Sequence, residues 1–361
     1  MMSLFPRLVF DCVQYRNNVK KVAAYCAHVE IGIFVVTKVF RAFRPLVEAI
    51  QDLDIEGIAD SRLENLEHVS DIPIQKLLLR LPMPSEAERV VAIADISLNS
   101  EWETLVKLNE AAERLSKRHA VILMMEMGDL REGMDNAQFE WILNRLYLLK
   151  NIDFIGIGAN FSCYGGIMAT PEKLKSLAAY KARFKQAAGV ENPIISGGNS
   201  SSLYLVEKED MPAEINNLRL GEALILGRET AFGNHIFDLS DSLVSLDVEL
   251  IEIKVKPSYP IGIMTYDAFG EKPQIEDRGM ITRGILAIGQ QDVDLKGLIP
   301  YDENIEILGG SSDHLIVEIK AGDYKVGDIV RFRVNYSALL RLSTSPYVQK
   351  RFEHLVTSVS I

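Results

Sequence analysis

Several polar residues stand where short apolar runs end, and their types define the chemistry open to the chain. Lys38 closes the segment FVVTK. A lysine there can snorkel its ammonium into water. In apolar surroundings its amine instead sheds a proton more readily, and it can act as a nucleophile and then a base. SGGNSSS at 196–202 offers backbone N–H groups and hydroxyls, and LRLGEA at 218–223 adds a glycine where backbone can approach a ligand. Both segments suit a phosphate, and both are also ordinary turn sequences. Arg219 lies within the second of these segments. It can pair at a surface, or face a bound cofactor. Asp60, Arg62, Asn65, Arg80, Glu126, Arg131 and Asn160 follow other apolar runs.

The elements that would position these residues alternate in type. Runs rich in Val, Ile and Leu predict strands near 31–36, 56–59, 76–79, 92–96, 120–125, 153–158, 193–196 and 215–219. Between them, 101–117, 137–149 and 171–188 have helical periodicity, the last opened by Thr170 as N-cap and Pro171 as first helical residue. A helix-like stretch over about 13–27 precedes the first strand. Eight βα alternations fit an α/β fold of the (β/α)8 TIM-barrel type, with an open doubly wound sheet as the rival. In a barrel the catalytic groups lie at the C-terminal strand ends, and phosphate binds at the loops after strands 7 and 8. Lys38, Arg219 and SGGNSSS fall at those positions.

After about residue 235 the texture changes. Segments 247–255, 281–288, 305–308, 314–319 and 329–334 read as strands separated by Gly, Pro, Asp and Asn. The expected organisation is a TIM barrel over 1–235 followed by a C-terminal β domain over 236–361. PRLVFD at 6–11 is also strand-like and is expected to pair with the β domain.

Composition narrows the function. The net charge of −11 argues against general affinity for nucleic acid or an anionic membrane. Cys12, Cys26 and Cys163 are an odd number without metal-ligand spacing, which fits a reducing compartment and no metal site. The start MMSLFPRLVF lacks a signal-peptide core, so a cytoplasmic protein is expected.

Taken together the motifs resemble the alanine racemase family of fold-type III pyridoxal-phosphate enzymes, and within it the ornithine racemase-like branch. The resemblance is carried by FVVTKVF at 34–40, ADSRLENL at 59–66, MEMGDLREG at 125–133, GIGANFSCYGG at 156–166, ISGGNSSSL at 195–203, NNLRLGEALILGR at 216–228, DAFG at 267–270, IGQQDVD at 288–294 and GGSSDH at 309–314. It implies an amino-acid racemase that interconverts L- and D-forms by proton transfer at Cα, with pyridoxal 5′-phosphate as cofactor and a homodimer with shared active sites. It implies that Lys38 bears the cofactor and Arg219 bonds its pyridine nitrogen. Ser200, Gly221 and Tyr347 resemble phosphate-site residues, and Asn160 and Asn199 resemble residues lining the ring and phosphate. Arg131 resembles the arginine near the substrate carboxylate. Ser312 and Asp313 resemble residues that reach across the dimer. For the second catalytic base, GIMTYDAFG makes Tyr266 the best candidate, with His314 as a further titratable group.

The chain departs from the family pattern after the lysine, where VFRAF places Phe43 near an expected tyrosine. The branch implies ornithine or another basic amino acid as substrate; alanine, or a broad range, is the alternative. Glu126, Asp129, Asp267 and Asp313 are the acidic residues weighed for a distal ammonium. A basic amino-acid decarboxylase of the same fold type would carry a cysteine where GGSSDH has serines. A non-catalytic pyridoxal-phosphate carrier would resemble the barrel alone.

Overall fold

A computed structural model describes residues 4–356 except 267, 268, 271 and 273. The chain forms two compact units, one built on Cys12–Asp241 and the other on Ser242–His354 together with the residues up to Asp11. The first strand, β1 (Arg7–Asp11), belongs to the second unit.

The first unit opens with the helix Cys12–Ala27. Eight strands follow: β2 (Gly32–Val36), β3 (Gly57–Asp60), β4 (Lys76–Leu78), β5 (Ile96–Asn99), β6 (His119–Met125), β7 (Ile152–Ala159), β8 (Ile194–Ser196) and β9 (Asn217–Leu220). They pair in sequence order, and β9 pairs back on β2 to close the barrel. Both faces of such a sheet are covered, which is why these strands read as continuous apolar runs. Phe34, Val36, Ala59, Leu77, Ile96, Leu98, Ile122 and Met124 form one buried cluster. Arg219 of β9 stands in register with Phe34 of β2. Partners in register point to the same side of a sheet, so the guanidinium shares the interior with this cluster.

The expected barrel is present, with local differences. Residues 92–96 were expected as a strand. Instead Ala87–Ile93 is a helix that buries Val90 and Val91, and the strand starts at Ile96. A short apolar run does not distinguish the two by periodicity. The helix expected over 171–188 is two, Pro171–Ala178 and Lys181–Ala188, and between them Tyr180 meets Phe139 edge-on at 5.1 Å. Thr170 caps the first by accepting from the Lys173 N–H at 3.3 Å.

In the second unit the strands are β10 (Val244–Pro257), β11 (Met280–Leu286), β12 (Leu298–Pro300), β13 (Ile305–Gly310), β14 (Leu315–Ile319), β15 (Ile329–Val334) and β16 (Gln349–Glu353). Their order is β12-β15-β10-β11-β14-β13, and β1 lies antiparallel to β10 and parallel to β16. Burial alternates along β15, the mark of a sheet with one face covered. Asp247 of β10 is buried between Arg7 of β1 and Arg331 of β15, with bonds of 2.9 and 2.6 Å. Asp267 lies outside the described residues, as does part of the DAFG motif.

Candidate active site

Lys38 begins the 3-10 turn Lys38–Phe40 directly after β2. The residue before it is anchored: Thr37 donates its hydroxyl to Asp60 Oδ2 at 2.8 Å, and Asp60 also accepts from Asn65 and from the Arg62 N–H, each at 3.0 Å. Lys38 Nζ forms no hydrogen bond or ion pair with any described residue. Burial lowers its pKa; Cys163, Asp60 and Glu132 pull it back up, and Arg131 adds to the lowering. The result is an amine held at the barrel rim, without a bonding partner among the described residues and easier to deprotonate than an ordinary lysine.

Arg219 is 2% exposed. Nη2 donates to the Ala159 carbonyl at 2.6 Å and to Asn160 Oδ1 at 3.0 Å, and Nη1 donates to the Ser196 hydroxyl. Its Nε has no partner among the described residues. Burial brings the guanidinium down to about 10, so it remains a cation at neutral pH.

Arg131 and Glu132 sit on the loop after β6. Gly133 closes that loop back onto the strand: its φ is +145°, and a Cβ there would stand 2.4 Å from the Glu126 nitrogen. Arg131 Nη2 donates to Glu132 Oε1 at 2.5 Å, and Arg131 Nε donates to the other carboxylate oxygen. Asn160 Nδ2 also donates to Glu132. The carboxylate therefore joins Arg131 to Asn160, and through Asn160 to Arg219. Sequence reasoning missed Glu132, although it adjoins Arg131.

The loops after β7, β8 and β9 interlock. Asn199 Nδ2 donates to the Phe161 carbonyl at 2.8 Å and contacts Cys163 Sγ at 3.3 Å. The Ser200 hydroxyl accepts from the Gly221 and Ala223 N–H groups at 3.3 and 3.2 Å. A Cβ on Gly221 would lie 2.9 Å from Val36 Cβ, so only glycine lets β9 turn this close to β2. Glu222, also not singled out from sequence, is raised to about 7 by burial, and the Lys38 charge pulls it back. Cys163, exposed as a residue, joins the same charge cluster, with Arg131 and Lys38 favouring its thiolate against burial.

Two acids weighed for a distal ammonium are engaged elsewhere. Asp129 accepts from the Cys163, Tyr164 and Ile167 N–H groups, and Glu126 from the Gly128 and Leu130 N–H groups.

The remaining sequence-derived residues belong to the second unit. Ser312 and Ser311 donate to Asp313 at 3.0 and 3.1 Å, and His314 stands 3.3 Å from the same carboxylate. The IGQQDVD segment packs on this loop, since the Gln290 and Gln291 N–H groups bond the Ser311 and Ser312 carbonyls. The Tyr347 N–H donates to Ser345 Oγ at 3.1 Å, and Ser345 in turn donates to Asp292 at 2.6 Å. Tyr347 and Tyr266 are 67% and 73% exposed.

Comparison with known proteins gives the geometry a lineage. The family model for the alanine racemase N-terminal domain matches residues 10–229. An ornithine racemase from Acetoanaerobium sticklandii is 43% identical over 350 residues, 96% of this chain and 99% of that protein. A lysine racemase from Thermotoga maritima is 38% identical over 354 residues, 97% of this chain and 99% of that protein. Among solved structures, alanine racemase from Streptomyces coelicolor A3(2) has the same fold, with a TM-score of 0.75, 14% identity, and coverage of 96% of this chain and 98% of that one. The chain belongs to the alanine racemase family.

Proposed function

We propose that the chain racemises a basic amino acid, ornithine or lysine, with pyridoxal 5′-phosphate carried on Lys38. That it is an amino-acid racemase, an isomerase, follows from its membership in the family and from its likeness to racemases along nearly the whole chain. The observation that carries the cofactor reading is the pairing, in one barrel, of a Lys38 amine and a buried Arg219 Nε that both lack a partner among the described residues.

The residues present fit the cofactor. Lys38 supplies the attaching amine, Arg219 Nε a donor for the pyridine nitrogen, and Ser200 with the Gly221 backbone the phosphate end. Asn160 and Asn199 would line the ring, and the family resemblance adds Tyr347 to the phosphate-site residues. When bound, pyridoxal phosphate supplies an electron sink for the charge left at Cα when its proton departs.

The chain's own groups do the rest. Arg131, held by Glu132, orients the substrate carboxylate. Lys38, with its lowered affinity for a proton, takes up or returns the Cα proton on one face. Tyr266 of a second copy serves the opposite face, and Ser312 and Asp313 reach that shared site. A homodimer is supported by the apolar side chains that the second unit leaves bare: Val255, Ile261 and Ile263 are 64%, 91% and 98% exposed. No described helix is long and apolar enough to cross a membrane.

The test is a panel of L-amino acids incubated with the cofactor-loaded protein and resolved by chiral chromatography. D-Ornithine or D-lysine is expected to form well ahead of D-alanine. Alanine as sole substrate overturns the substrate assignment, and release of CO₂ without racemisation overturns the reaction.

A further inference from the structure

Arg219 is a buried cation with no carboxylate bonded to it among the described residues. Its charge is answered indirectly on two sides. On one side Asn160 accepts from Arg219 and donates to Glu132. On the other side the path is longer. Arg219 Nη1 donates to the Ser196 hydroxyl, Ser196 donates to Asn217 Oδ1, and Asn217 Nδ2 donates to Glu56 Oε2 at 2.6 Å. Ser196 and Asn217 are wholly buried. Glu56 precedes β3, so this second path runs from the interior to the N-terminal mouth of the barrel, opposite the rim that carries Lys38.

The bonds all run in one direction. A hydroxyl has a single proton. Ser196 spends it on Asn217 and so meets Arg219 only as an acceptor. Asn217 must then turn its oxygen toward Ser196 and its NH₂ away, and an NH₂ turned into a barrel needs an acceptor. Glu56 is that acceptor. Without it the amide could turn over, and its NH₂ would compete with Arg219 for the Ser196 oxygen.

The backbone makes room for this path at two separate places. A Cβ on Gly158 would lie 3.1 Å from Ser196 Cβ and 3.3 Å from Arg219 Nη1. A Cβ on Gly32 would lie 2.0 Å from Glu56 Oε1. Two strands thus lack side chains where the guanidinium and the carboxylate need the space.

We propose that Glu56, Asn217 and Ser196 are positioning residues that orient Arg219, so that a carboxylate at the far mouth of the barrel governs the cofactor end of the site. The proposal deepens the racemase reading and rests on Arg219 facing the pyridine nitrogen.

The experiment measures three quantities for wild type, Glu56→Gln, Glu56→Ala, Ser196→Ala and Gly32→Ala. They are the Tm of the apo protein, the Kd for pyridoxal phosphate by absorbance titration, and the ratio of racemisation to transamination. Ser196→Ala and Glu56→Ala are expected to weaken cofactor binding about tenfold, the size of one charge-linked hydrogen bond, and to lower the ratio. Glu56→Gln keeps an acceptor for Asn217 and is expected to stay within about threefold of wild type. Gly32→Ala pushes the Glu56 carboxylate aside without altering either bonding partner, and is expected to behave like Glu56→Ala. A merely structural role would move Tm and leave Kd and the ratio alone. If Glu56→Ala and Gly32→Ala both bind cofactor and partition like wild type, the relay is overturned while the racemase reading stands. A wild-type chain that takes up no pyridoxal phosphate overturns both.

Discussion

Thr37 donates its hydroxyl to Asp60 Oδ2 at 2.8 Å, which ties the residue before Lys38 to the end of the neighbouring barrel strand. Burial raises the Asp60 pKa, and the bonds from Thr37, Asn65 and Arg62 pull it back. Thr37→Val removes one of these bonds from a buried carboxylate and should cost about 1–3 kcal/mol. Chemical denaturation checks that cost. Cofactor retention on dialysis should fall in step, since the lysine loses its fixed base.

Glu132 should matter through Arg131. Glu132→Ala frees the guanidinium from two hydrogen bonds and frees Asn160 from one. KM for the amino acid should rise about tenfold, one charge-assisted bond's worth. Steady-state kinetics with the loaded enzyme measure it; an unchanged KM would remove Arg131 from carboxylate binding.

Glu222 predicts a pH dependence. Burial lifts its pKa from the ordinary 4.5 to about 7, with Lys38 opposing. A carboxyl that holds its proton more tightly when folded adds stability at low pH, and loses it as pH rises through the folded value. The Tm of the apo protein should therefore carry a component that declines between about pH 5 and 7. Glu222→Gln should flatten it.

Asp247 predicts the opposite sign. Burial alone would raise its carboxyl, but Arg331 and Arg7 outweigh burial and hold it below the ordinary range. Its contribution is present above the unfolded value near pH 3.9 and disappears as pH falls through the lower folded value. Asp247→Ala strands two arginines among β1, β10 and β15. It should cost about 2–3 kcal/mol, less than a fully buried pair because both arginines reach solvent. Urea melts at pH 7 and at pH 3 test both statements.

How much of this was legible in the sequence follows from range. Lys38, Arg131 and Arg219 follow or end apolar runs, so a reading of strand ends finds them without tertiary information. Asn217 and Arg219 alternate along NLRL, which puts both on one face of β9, but a reading of strand ends does not single out Asn217 at the strand's start. Glu56 left no such sign, because its partner Asn217 is 161 residues away. Glu132 bonds Asn160 across 28 residues between two loops. The run near 92–96 misleads for a different reason: it straddles the end of the helix Ala87–Ile93 and the start of β5 at Ile96, and a short apolar run does not separate the two by periodicity.

Every other role proposed for the barrel rim depends on Lys38 holding the cofactor. The most direct test is to load the apo protein with pyridoxal phosphate, reduce it with borohydride, digest it and map the modified peptide by mass. A single pyridoxyl adduct on Lys38, lost in Lys38→Ala, is expected. An adduct on another lysine in the wild type, or none, would contradict it.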